Sequence, residues 1–154
     1  SPYAIVKGDE SFDLKVQGQP AQQMKVAPGT FTTLVPQING KNIQWISVDD
    51  STGSTDALKA ELRFYNLAAD CTAGTLQVAS NGPKLFADVA QNKASARAIN
   101  PVQAQIQASC SGATTSPLDL PALKPGDHYS FFLTGTAQAP VLKGQASTTE
   151  AYRP

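Results

Sequence analysis

Between Val102 and Cys110 the chain alternates without a break. Val102, Ala104, Ile106, Ala108 and Cys110 fall on one side, and Gln103, Gln105, Gln107 and Ser109 on the other. Successive side chains of an extended chain point to opposite faces, so the stretch Ala96 to Cys110 predicts a strand with one apolar and one neutral polar face. The same period recurs along the chain. Phe12, Leu14 and Val16 alternate with Asp13, Lys15 and Gln17 before Gly18; Met24 and Val26 flank Lys25; Phe31 to Val35 resumes after the Pro28-Gly29 turn. After the Asn39-Gly40 turn, Ile43 to Val48 carries Trp45 and Ile46 side by side, which puts apolar groups on both faces. Ala60, Leu62 and Phe64 then alternate with Glu61, Arg63 and Tyr65, predicting an outer face with a charged pair and a phenol. Leu76 with Val78, and Leu85 with Ala87 and Val89, give two more strands around the Ser80-Asn81-Gly82-Pro83 turn. Lys93 to Arg97 reads as a short connector. Tyr129, Phe131 and Leu133 form the last clear strand, with at most one edge strand near Val141-Leu142.

No window shows a sustained helical period bounded by a cap and a stop. Strands spaced by Gly and Pro turns predict an all-β protein of two small antiparallel β-sandwich domains, Ig-like or jelly-roll-like. The run DDSTGSTD from Asp49 to Asp56 holds no apolar residue and reads as the link between them. The expected organisation is a truncated first β-domain over 1–50, a linker over 51–57 and a second β-sandwich over 58–154. The halves echo one another: Pro28-Gly29 matches Pro125-Gly126, and Phe31 and Tyr129 open the strand that follows. The second copy has extra strands before the match begins, so the fold is expected to start earlier than Ser1.

Charge narrows the functional classes. Twelve basic residues cancel twelve acidic ones, which removes the electrostatic footprint of a nucleic-acid-binding surface. The apolar runs are far short of the roughly 20 residues that a membrane-spanning helix needs, so no membrane insertion is expected. A leader segment is absent from the start, which fits a mature exported form or a chain never exported. The two cysteines, Cys71 and Cys110, read as a disulfide or as buried free thiols. A bond would close a loop of about 40 residues and contribute on the order of 4 kcal/mol, which favours an oxidising compartment.

Reactive constellations are sparse. His128, the single histidine, follows Asp127 directly, a spacing that does not suit a serine-histidine-carboxylate relay, so it reads as a surface turn residue. One histidine and two distant cysteines do not make a zinc site, and Asp49, Asp50 and Asp56 lack the alternation and closing Glu of a calcium loop. No metal and no cofactor are expected. The acidic residues lie mainly in turns and the linker, where solvation is the expected state. Trp45, Tyr65 and Phe132 fall off the main core face and are the candidate binding residues, by ring stacking on a sugar or packing on a neighbour.

The runs LKAELRFYNLAAD from Leu58, ARAINPVQAQI from Ala96 and LKPGDHYSFFLTG from Leu123 resemble the carboxy-terminal domain of the AlgF family, the periplasmic accessory proteins of alginate O-acetylation. The residues that carry the resemblance are Tyr65-Asn66, Ile99-Asn100-Pro101-Val102 and Leu133-Thr134-Gly135. The segment up to Val35 is similar to the later part of the family's first domain. The resemblance implies two β-sandwich domains, a periplasmic location and a non-catalytic adaptor role. Its partners would be the membrane and periplasmic O-acetyltransferases that modify alginate or, in related clusters, cellulose. Two departures stand out: the short first domain and the Cys71/Cys110 pair, which the family pattern does not call for. The alternative is a carbohydrate-binding module that holds the polysaccharide itself; an esterase reading has little behind it.

Overall fold

A computed structural model describes residues 3–39, 42–54 and 56–151 and divides the chain into two compact units. The first comprises Ser1–Ser51 with Thr148–Pro154; the second is Thr52–Ser147. No helix occurs among the described residues, and the chain is all-β.

In the first unit, β1 (Ser11–Leu14) pairs with β2 (Gln22–Lys25), and β3 (Thr32–Asn39) pairs with β4 (Asn42–Asp49), both antiparallel. The Asn39-Gly40 turn expected between β3 and β4 lies outside the described residues at Gly40. Pro28-Gly29 does precede β3, with Gly29 at φ 69, where a side chain would be strained. This unit has little apolar core: Val48 is its one fully buried hydrophobic side chain among the described residues. A polar hub stands beside it. Asp50, 4% exposed, accepts hydrogen bonds from the hydroxyls of Tyr3 (2.7 Å) and Thr33, and Tyr3 packs edge-on against Phe31. Asp50 thus departs from the solvated state expected of the acidic residues, because its carboxylate terminates two hydroxyls in place of water.

The second unit is a β-sandwich with the chain's main hydrophobic core. Its strands are β5 (Ala60–Asn66), β6 (Gly74–Val78), β7 (Lys84–Val89), β8 (Lys93–Ile99), β9 (Gln105–Cys110), β10 (Ala113–Thr114), β11 (Leu118–Asp119), β12 (His128–Gly135) and β13 (Pro140–Ala146). One sheet runs β13-β12-β5-β8; the other runs β10-β9-β6-β7, with β11 also on β9. Leu62, Phe64, Phe131 and Leu133 from the first meet Leu76, Phe86, Ile106 and Ala108 from the second. Burying such side chains contributes roughly 1.5–3 kcal/mol each before the entropy of ordering them is subtracted.

Four expectations are corrected here. The alternating stretch Ala96 to Cys110 is two strands in different sheets: residues up to Ile99 belong to β8, and β9 begins at Gln105. Pro101, lacking an N–H for a ladder, sits in the crossover, and Val102 is 53% exposed instead of buried, while Ile106, Ala108 and Cys110 are buried as the alternation predicts. Lys93 to Arg97 is not a connector but most of β8, since its small residues tolerate an extended edge. In β7, Asp88 adopts φ 54, so Phe86 and Val89 turn inward together in place of the Leu85, Ala87, Val89 series. Finally, β5 and β12 pair in parallel, an exception to the antiparallel sandwich. The edge strand after β12 is present as β13, and Gly126 repeats the left-handed turn of Gly29, at φ 84, just before β12.

Cys71 and Cys110 form a disulfide with Cα atoms 5.8 Å apart. The bond ties the segment after β5 in one sheet to the end of β9 in the other, and both cysteines are buried.

Candidate functional site

The outer face of β5 is where sequence and structure part most usefully. Every residue of β5 is buried, Glu61, Arg63 and Tyr65 included, so the charged pair and phenol are covered rather than solvated. Parallel pairing puts His128 opposite Glu61, Ser130 opposite Arg63 and Phe132 opposite Tyr65. Glu61 Oε1 accepts from Arg63 Nη2 at 3.1 Å and stands 3.4 Å from His128 Nδ1. Its other oxygen, Oε2, accepts the backbone N–H of Ser54. Arg63 Nη2 also donates to Thr52 O at 2.6 Å. Gly53 passes between them, and a Cβ there would stand 2.6 Å from Glu61 Oε2. The first part of the expected linker is therefore strapped down by an ion-paired carboxylate and a guanidinium.

Beside this strap lies a hollow of about 220 Å³ lined by Ser54, Asp56, Ala57, Lys59, Glu61, Gly126 and His128. Its charges are largely matched. Lys59 Nζ is 3.8 Å from Asp56 Oδ2, and Asp56 Oδ1 accepts Leu58 N–H at 3.0 Å. Ser54 Oγ accepts Asp56 N–H at 3.1 Å. Glu61 Oε1 faces His128 through Nδ1, which leaves Nε2 as the ring's other polar atom. Glu61 is shared among Arg63, His128 and the Ser54 amide, so its evident work is to hold the strap. The side chain of His128 is 49% exposed, as a turn-proximal histidine should be, though it opens β12. Sequence reading missed Glu61, Ser54 and Lys59; the one available signal was Glu61 and Arg63 two apart on the same strand face.

The candidate aromatic residues are distributed. Tyr65 and Phe132 are cross-strand neighbours whose rings stack with centroids 4.8 Å apart and planes at 15°. Tyr65 is buried and Phe132 half-buried, so Phe132 is the member of the stack that reaches the surface. Trp45 belongs to the first unit, half-buried on β4 opposite Pro36, with its Nε1 out of solvent and without a hydrogen-bond acceptor among the described residues.

Asn66, which ends β5, is fully buried. Its Nδ2 donates to Cys71 O at 2.8 Å and to Val89 O at 2.9 Å, so one amide ties β5 to the disulfide segment and to the end of β7. Gly74 faces it so closely that a Cβ would lie 3.0 Å from Asn66 Cγ.

No family model matches this chain, and no curated protein matches it. A solved structure is similar. It is the C-terminal domain of AlgF from P. aeruginosa, with 24% identity over 58% of this chain and 98% of that domain, and a TM-score of 0.49.

Proposed function

We propose that this chain is a non-catalytic periplasmic accessory protein of exopolysaccharide O-acetylation, on alginate or cellulose, that binds the acetyltransferases of the complex. The observation that carries the reading is the set of AlgF-like residues and the work they do here. Tyr65-Asn66 forms the aromatic stack and the buried amide bridge; Leu133-Thr134-Gly135 closes β12, with Leu133 in the core and Gly135 at φ 82. The residues that carry the resemblance thus build a scaffold, as expected of an adaptor whose contacts lie on its surfaces. The Cys71–Cys110 disulfide fits an oxidising compartment such as the periplasm.

Co-purification from envelope extracts tests the reading. The tagged chain should retain periplasmic or membrane O-acetyltransferases, and its deletion should lower polymer acetylation while leaving polymer yield intact. Saturable binding of plain or acetylated polymer that disappears in Trp45→Ala would replace the adaptor with a carbohydrate-binding module. Turnover of a chromogenic acetyl ester by the purified chain would replace it with an enzyme.

A further inference from the structure

The first sheet of the second unit ends at β8, and hydrogen bonds reveal which backbone groups of that strand are used. Glu61 N–H donates to Asp127 O and Leu67 N–H to Leu133 O, both at 2.8 Å, whereas Asn66 O accepts from Asn92 N–H at 2.7 Å. The N–H and C=O of one strand residue point the same way, so odd-numbered residues of β5 turn toward β12 and even-numbered ones toward β8. The partners of the even-numbered residues are Lys93, Ser95, Arg97 and Ile99. Ala94, Ala96 and Ala98 consequently direct their N–H and C=O groups away from the sheet, and no strand among the described residues takes them.

Exposed edges are ordinarily blunted by proline, bulges, brevity or charge, lysine above all. Here β13 opens with Pro140 and contains Gly144, β7 is bent at the left-handed Asp88, and β10 and β11 have 2 residues each. From Ala94 to Ile99, β8 has no proline, glycine or left-handed residue. It does carry charge. Lys93 and Arg97 are exposed, neither is ion-paired among the described residues, and no acidic residue occurs from Gln91 to Gln107. Arg97 Nη1 donates to Leu85 O at 2.9 Å, which holds the guanidinium at this edge. Pairing two copies of β8 would set cations against cations. An extended acidic strand would meet them with opposite charge.

We propose that β8 is an acceptor edge for an extended acidic segment of a partner protein, which adds to the sheet as a fifth strand. The inference rests on the adaptor reading only for the partner's being a protein. Lys93 and Arg97 lie four apart on one face, so the segment carries carboxylates four apart, with small apolar residues between them to lie beside Ala94, Ala96 and Ala98.

The test is a titration of the full chain with the blocked peptide EVSVEV, and with KVSVKV as control, followed by amide shifts and hydrogen exchange. The acidic peptide should slow exchange at Ala94, Ala96 and Ala98 by about tenfold or more as these amides gain acceptors. Ala96→Pro removes an outward N–H without touching the β5 ladder and should abolish that effect. Lys93→Glu combined with Arg97→Glu should transfer the preference to KVSVKV, a readout that holds if the proline variant misfolds. No binding, protection at β7 or β13 instead, or an unchanged preference in the charge-reversed variant would overturn the proposal. Failure of the peptide alongside intact acetyltransferase co-purification removes this edge and leaves the adaptor; the converse removes the adaptor and leaves the edge.

Discussion

Replacing Asn66 probes the joint on which the second unit turns. In Asn66→Ala both hydrogen bonds from Nδ2 vanish, and Cys71 O and Val89 O are left in an environment where the parent side chain is fully buried. A buried acceptor left unsatisfied costs about 1–3 kcal/mol. With one carbonyl recruiting water, the other left unsatisfied and a small cavity opened beside Gly74, the loss is about 2–4 kcal/mol. Against a total stability of about 5–15 kcal/mol, that loss is readily measured. Asn66→Asp is the sharper test, because it sets a carboxylate against two carbonyl oxygens. Ionisation is then disfavoured in the folded state. The unfolded chain releases its proton at lower pH, so stability should be greatest in acid and fall as pH rises through the carboxyl range. Urea titrations at several pH values, followed by far-UV dichroism and by the amides of β5 and β9, read both effects. A loss below about 1 kcal/mol for Asn66→Ala, or a pH-independent loss for Asn66→Asp, would refute the bridging role.

Three further outcomes are expected. Cys71→Ala with Cys110→Ala should lower the unfolding free energy by about 4 kcal/mol, on the chain-entropy estimate for a separation of 39 residues, as read by urea midpoint with and without reductant. Burial raises the Tyr129 phenol above its usual range, and the ring lies against Gly144, where a Cβ would come 2.5 Å from the hydroxyl. The unfolded phenol therefore ionises first, so stability should fall as pH climbs above about 10, and Tyr129→Phe should flatten that limb in alkaline denaturation. Glu61→Gln weakens the hold on Thr52–Ser54 and leaves the Arg63 cation short of a carboxylate, so limited proteolysis should cut within 52–57 faster than in the parent; equal cleavage rates would remove the strap.

The sequence carried the strands well wherever one face is greasy and the other wet. Ile106, Ala108 and Cys110 were legible in β9, as were Leu62 and Phe64 in β5, because period-2 alternation is a direct image of a half-buried sheet. It carried badly where that premise fails. Glu61, Arg63 and Tyr65 look like solvent-facing positions by period, yet they are buried beneath contacts that come from other parts of the chain. The first half of β8 was unreadable for a different reason. Alanine and serine report neither face, so Lys93 to Arg97 has no apolar signal, and only its backbone pairing to β5 defines it.

Strand order is the deeper gap, and it decides the candidate site. Alternation names the residues that share a face of one strand but is silent on which strand lies alongside and in which direction. Antiparallel neighbours follow from short turns, as between β6 and β7, because the chain must fold back on itself. The parallel pairing of β5 with β12 has no such local cause, and it is what sets His128 across from Glu61 and Phe132 across from Tyr65. Reversing or sliding that pair by one residue would move every one of these side chains to a different neighbour, with each strand's own pattern unchanged. The polar strap and the aromatic stack are therefore properties of a long-range register, so a substitution that weakens the β5–β12 ladder should disturb both together, whereas one confined to the Thr52–Ser54 segment should disturb only the strap.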